Sequence, residues 1–192
     1  MAPRRGDTRE RIQRTALELF TEQGYERTSL REIAERIGVT KAALYYHFSS
    51  KEEILGSLVS DASQSLADLT EWTRSQPQGA RTRVATLLRL ADLVQGRWQP
   101  LLRLAEENRA ALRGLEDVGR EVRERIRDLY GLFDDETADV AGRLRARLAI
   151  VAVVGGSLRD PGELGATREE MQAAILQVAG ELLGDGAAGG GG

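Results

Sequence analysis

At 192 residues, 41% hydrophobic and 30% charged, the chain is long enough to bury a core and too apolar to be a disordered one. The absence of cysteine excludes disulfides, thiolate nucleophiles and thiolate metal sites, and a single histidine leaves metal chemistry little to use. A formal net charge of −3 argues against a polybasic wrapper of nucleic acid, yet leaves room for a small local footprint.

The opening MAPRRGDTRE has basic residues but no apolar stretch behind them, so it does not read as a secretory signal, and a cytoplasmic location is expected. Residues 1–14 carry five arginines against Asp7 and Glu10, the imbalance of a basic arm. Helix starts are written as an oxygen-bearing cap with Glu three residues on, at Asp7/Glu10, Ser29/Glu32, Ser50/Glu53 and Thr167/Glu170. The first helix should run from about Thr8 to Gln23, burying Ile12, Ala16, Leu19 and Phe20, and Gly24 can end it in the left-handed conformation. Leu30 to Ile37 follows, with Gly38 in a tight turn; Thr40 then caps a third helix, about Lys41 to Phe48. Ser50 opens a longer one that reaches about Arg74 before Gln76-Pro77-Gln78-Gly79 breaks it.

Beyond the break, Arg81 to Gln95 and Pro100 to Leu112 have amphipathic spacing, with Pro100 placed as a first helical residue. Further helices are expected over about Asp117 to Leu132, Glu136 to Leu158 and Thr167 to Leu183, and a disordered Gly/Ala-rich tail over 185–192. No segment alternates in the strand manner, so the fold class is all-α. The longest apolar run, Leu148 to Gly156, falls well short of the roughly 20 residues of a membrane-spanning helix. The expected domain division is 1–50, a three-helix unit with its basic arm, and 51–184, a larger helical domain.

Chemistry concentrates in VTKAALYYHFSSKEEIL, residues 39–55, which holds both lysines of the chain, its only histidine and two of its four tyrosines. Two short helices about a Gly-containing turn form the plan of a helix-turn-helix, whose second helix enters the major groove. Leu44 and Phe48, four apart, would face Ile33, Ile37, Leu17 and Phe20, leaving Lys41, Ala42, Tyr45 and Tyr46 outward. Lys41 in the first turn suits base edges, and the small Ala42 permits close approach or contact with a thymine methyl. Tyr45 and Tyr46 can donate to phosphate, Lys51 adds charge at the start of the next helix, and Thr28 or Ser29 stands ready for the flanking strand. His47 suits a phosphate or an intradomain hydrogen bond equally well.

Residues 8–55, and above all TSLREIAERIGVTKAALYYHFSSKEEIL, closely resemble the DNA-binding region of TetR-family transcriptional regulators. The resemblance implies phosphate contacts by Tyr45, Tyr46, His47 and Lys51, and base contacts by Thr40, Lys41 and Ala42. It further implies a helical C-terminal domain that binds a small molecule and dimerises through its last two long helices.

Those helices carry double stripes: Leu144, Leu148, Val151, Gly155 and Leu158 beside the smooth Ala149, Ala152 and Gly156, and Met171, Ile175, Val178 and Leu182 beside Leu176, Ala179 and Leu183. Two stripes per helix suit one core and one isologous interface, with Leu148, Ala149, Ala152, Gly156, Ile175, Ala179 and Leu183 as candidate dimer contacts. Trp98, Leu102, Asn108, Tyr130 and Phe133 are candidates for a mostly apolar effector site. No cofactor, metal or membrane partner is expected, and the chain contains no nucleophile-base-acid set that would make it an enzyme. The expected function is that of a dimeric repressor released from a palindromic double-stranded operator by a small apolar or amphipathic effector. The alternative is a constitutive or architectural DNA-binding dimer with no effector.

Overall fold

A computed structural model describes residues 5–107, 116–133 and 138–184 of the chain. Its described residues form helices α1 (Arg5–Gln23), α2 (Leu30–Ile37), α3 (Lys41–His47), α4 (Lys51–Ser75), α5 (Ala80–Leu93), α6 (Gln99–Glu107), α7 (Glu116–Phe133), α8 (Val140–Leu158) and α9 (Arg168–Gly184). A π-helical turn, Val94–Trp98, joins α5 to α6, and a 3₁₀ turn, Pro161–Leu164, precedes α9. There is no strand among them, and none of these helices is long and apolar enough to cross a membrane. The expected tail at 185–192 and the first four residues lie outside the described residues.

Two compact units divide the chain, Met1–Ser63 with Pro100–Val122, and Gln64–Gln99 with Arg123–Gly192. In the first, Ile12, Ala16, Leu19 and Phe20 of α1 close with Ile33, Ala34, Leu44, Phe48, Ile54 and Leu55 into a buried core. Each fully buried Leu, Ile or Phe among them contributes about 1.5–3 kcal/mol. Gly24 (φ 94°) and Gly38 (φ 71°) make the two turns, taking backbone conformations that a Cβ would strain. Polar ties complete the unit. Arg11 Nη2 donates to Ile37 O at the end of α2 (3.0 Å), and the buried amide of Gln13 donates to Ser57 Oγ (3.0 Å) and Asp61 Oδ2 (2.9 Å) on α4.

In the second unit, α8 and α9 pack along Ala146, Ala149, Ile150 and Val153 against Met171, Ile175 and Ala179, all buried. The contact is close: a Cβ on Gly156 would stand 2.7 Å from Ile175 Cγ1. Polar bonds tie α8 to the helices before it, since Gln95 Nε2 reaches Ser157 Oγ (3.4 Å) and Gln99 Nε2 reaches Ser157 O (3.1 Å).

Several sequence expectations need correction. Helix α1 begins at Arg5, so the expected start at Thr8, with Asp7 before it, lies inside the helix. The helices expected over Arg81–Gln95 and Pro100–Leu112 are present as α5 and α6, but the π turn joins them without a break, so Pro100 is the second residue of α6 and not its first; residues 108–112 lie outside the described residues. Proline lacks an N–H and its ring crowds the carbonyl four residues back; the wider turn just before it relieves that crowding. Helix α8 starts at Val140 with Asp139 as its cap, whose Oδ1 accepts from Gly142 N at 2.7 Å. Most consequentially, Ala149, Ile175 and Ala179, taken as dimer contacts, are covered by the chain itself, and half-buried Gly156 stands against Ile175. Small residues let two helices of one chain approach as readily as two chains, and here they serve the α8–α9 contact. The stripe left uncovered is Leu144, Leu148 and Val151 with Val178, while Ala152 and Leu183 are half-buried.

Candidate nucleic-acid interface

Helix α3 is set by its ends. Thr40 Oγ1 accepts from Ala43 N (3.1 Å) at the start, and Phe48 N donates to Leu44 O (3.0 Å) at the finish. Between them Leu44 and Phe48 point inward and are buried, so the helix cannot roll, and Lys41, Ala42, Tyr45 and Tyr46 are all exposed. Tyr46, 71% exposed, stands edge-on to the half-buried His47 ring (centroids 5.3 Å apart), and Lys41 Nζ lies 5.4 Å from the Tyr45 ring centroid. The outward face therefore combines a cation, two phenols and one small residue on a rigidly seated helix.

Helix α2 is anchored by a reciprocal cap. Ser29 Oγ accepts from Glu32 N (3.2 Å), while Glu32 Oε2 accepts from Ser29 N and Oγ (both 2.8 Å). These bonds, first from the Ser29 hydroxyl and then its N–H, hold the Glu32 carboxyl below its ordinary value. At α4 the return bond shifts by one residue: Ser50 Oγ accepts from Glu53 N (3.1 Å), but Glu53 Oε2 takes the N–H and hydroxyl of Ser49 (both 2.7 Å) and not the Ser50 N–H. Glu53 too is held low, chiefly by the Ser49 N–H.

Two residues expected to meet phosphate are otherwise engaged. Thr28 is 2% exposed, and its hydroxyl donates to Gly24 O (2.9 Å) while accepting from Gln23 Nε2 (3.3 Å), so its side chain closes the α1–α2 turn and does not reach a ligand. Lys51 Nζ donates to Tyr25 O (2.8 Å) and Glu26 O (3.4 Å) and stands 4.5 Å from the Tyr25 ring centroid. Two of its three N–H groups thus serve the same turn. Ser29 stays exposed.

Sequence reasoning missed the partners of these groups. Tyr25 is buried, edge-on to Phe20 (4.9 Å), and donates its hydroxyl to Glu52 Oε1 (3.0 Å); burial first, then Glu52, pushes the phenol pKa up. Arg9 lays its guanidinium 4.4 Å from the Phe48 ring centroid. A polar Gln13 in the inward stripe of α1 was the one signal for the α1–α4 clamp.

The effector candidates are placed as follows. Trp98 and Phe133 are buried and Tyr130 half-buried in the second unit, the half-buried Leu102 belongs to the first, and Asn108 lies outside the described residues.

Comparisons with known proteins converge on the amino-terminal region. Residues 12–58 match the family described as bacterial regulatory proteins, tetR family. The tetracycline repressor protein class C of Escherichia coli is 48% identical over 50 residues, 26% of this chain and 23% of the relative. The match thus spans about a quarter of that relative's length. Over nearly the whole chain the likeness is structural. AmtR of Mycobacterium smegmatis has a TM-score of 0.62 at 25% identity, covering 94% of this chain and 90% of that one. AibR, solved with isovaleryl coenzyme A and operator DNA, has a TM-score of 0.63 at 21% identity, covering 88% and 95%.

Proposed function

We propose that this chain, whose residues 12–58 match the tetR family of bacterial regulatory proteins, is a dimeric, sequence-specific DNA-binding regulator of transcription, acting as a repressor. The observation that carries the reading is the outward face of α3, with Lys41, Ala42, Tyr45 and Tyr46 exposed on a helix locked by Leu44 and Phe48. In this reading Lys41, Thr40 and Ala42 read base edges in the major groove. Tyr45, Tyr46, His47 and the exposed Ser29 hold phosphates and fix register.

Two copies would present two such helices to a palindromic site, one helical turn or a multiple of it apart. The uncovered stripe Leu144, Leu148, Val151 and Val178 supports self-association through α8 and α9, because soluble chains seldom leave such a stripe to water. Release by a small apolar or amphipathic effector bound within residues 51–184 completes the proposal. AibR, of similar fold, was solved with both an acyl coenzyme A and operator DNA, which supports such a two-ligand design. An effector must bind the DNA-competent and DNA-incompetent arrangements unequally to change occupancy.

The test is selection of bound duplexes from a random pool. A palindrome is expected, and Lys41→Ala should lose about 1–3 kcal/mol on it while binding random duplex nearly as before. Recovery of no preferred sequence, or equal losses on both duplexes, refutes the assignment.

A further inference from the structure

A groove of about 520 Å³ runs between α4 and α5, lined by Ser65, Asp68, Leu69 and Trp72 on one side and Arg89, Asp92 and Leu93 on the other. The spacings i, i+3, i+4, i+7 on α4 and i, i+3, i+4 on α5 place each set on a single helix face. The two helices are pinned beside it by the buried hydroxyls of Thr73 and Thr86, 3.0 Å apart. None of the residues singled out in the sequence as effector candidates lines this groove.

Its occupant can be read from its own lining. Arg89, an exposed side chain, lays its guanidinium carbon 3.9 Å from the centroid of the Trp72 ring. The chain itself thus shows that this indole face accepts a flat cation, as the ring quadrupole dictates. Two carboxylates, Asp68 and Asp92, line the groove against that one guanidinium, so the balance of charge favours a cation and repels an anion. Asp68 already accepts from Gln64 Nε2 (2.8 Å), which leaves most of its lone pairs for a ligand. Leu69 and Leu93 supply apolar surface for an uncharged body, and the volume suits a small molecule.

We propose that the α4/α5 groove binds a flat organic cation of the aryl amidinium or guanidinium class, laid on Trp72 in place of Arg89 and neutralised by Asp68 and Asp92. Arg89 acts as an internal competitor that a ligand displaces. The benzamidine titration itself uses no DNA.

Benzamidine, neutral benzamide and anionic benzoate are titrated onto the full-length protein, following the two indole N–H signals by nuclear magnetic resonance; Trp72→Phe assigns them. Benzamidine should move the Trp72 signal and leave Trp98 in place, with benzamide about tenfold weaker. Arg89→Ala should tighten benzamidine severalfold by removing the competitor, and Asp92→Asn should weaken it severalfold, each variant keeping the parent's thermal unfolding. A still Trp72 signal, equal binding of benzamide, tighter binding of benzoate, or weaker benzamidine binding by Arg89→Ala each overturns the proposal. Operator binding, measured on the same preparation without benzamidine, distinguishes failure of the cation site from failure of the regulator reading.

Discussion

Lys51, at the first turn of α4, donates from Nζ to the backbone oxygen of Tyr25 at 2.8 Å while standing over that residue's ring, and so ties α4 to the turn between α1 and α2. A charge that the sequence offers to phosphate is in large part a structural clamp. Lys51→Ala should therefore lower stability by about 1.5–3 kcal/mol, the range for a hydrogen bond involving a charged group. Urea denaturation checks this, with Lys41→Ala, whose side chain is exposed, as the control expected to change little. Equal stabilities for the two variants would return Lys51 to a purely ligand-facing role.

The capping carboxylates give a pH dependence with a definite sign. Glu32, Glu53 and Glu170 are all held below the ordinary value of 4.5 in the folded chain, each by bonds from a serine or threonine at the start of its helix. A depressed folded pKa means that their stabilisation is complete above the unfolded value and is lost as pH falls through the folded one. Stability should hold near neutrality and decline as the solution is acidified below about pH 4.5. Glu32→Gln, which can keep the cap but cannot titrate, should flatten part of that decline. Unfolding curves at several pH values measure it.

Two glycines should respond oppositely to alanine. At Gly156 a Cβ meets Ile175 Cγ1 at 2.7 Å, and an overpacking cost of about 1–3 kcal/mol exceeds the roughly 1 kcal/mol that alanine gains in a helix. Gly131 has nothing within 4 Å of its added Cβ, so Gly131→Ala should stabilise by up to about 1 kcal/mol. Thermal unfolding of the pair decides, and a stabilised Gly156→Ala would contradict the close α8–α9 contact.

Leu148, 43% exposed within the uncovered stripe, is the position at which self-association should fail. Leu148→Arg should shift sedimentation toward the monomer and abolish binding to a palindrome while leaving the helical content unchanged, since the side chain is not part of the chain's own core. Buried Ala149 is the contrasting neighbour: Ala149→Arg should unfold the second unit. A Leu148→Arg variant that still sediments as a dimer would move the interface elsewhere.

The class of fold, the starts of α2, α3, α4 and α9 and the outward face of α3 were all legible in the amino acids alone. Capping residues, turn glycines and helical spacing are local signals: Ser29 with Glu32, Gly38, and Leu44 with Phe48 each act within one or two turns of backbone. The same locality misled at Asp7, where a cap-like pair lies inside a helix, and at Pro100, where a proline suggested a fresh start that the π turn removes.

What needed the folded chain was the choice of partner for groups that could serve two. Thr28 and Lys51 can bond phosphate or a nearby carbonyl, Ala149 and Gly156 can admit a helix of the same chain or of another, and Trp72 means nothing until Arg89 lies on it. Spacing in a sequence determines which face a side chain occupies, because helical geometry is periodic and local. It leaves open what covers that face, because at Lys51, Gly156 and Trp72 the competing contacts come from a different helix or turn, and only packing decides among them.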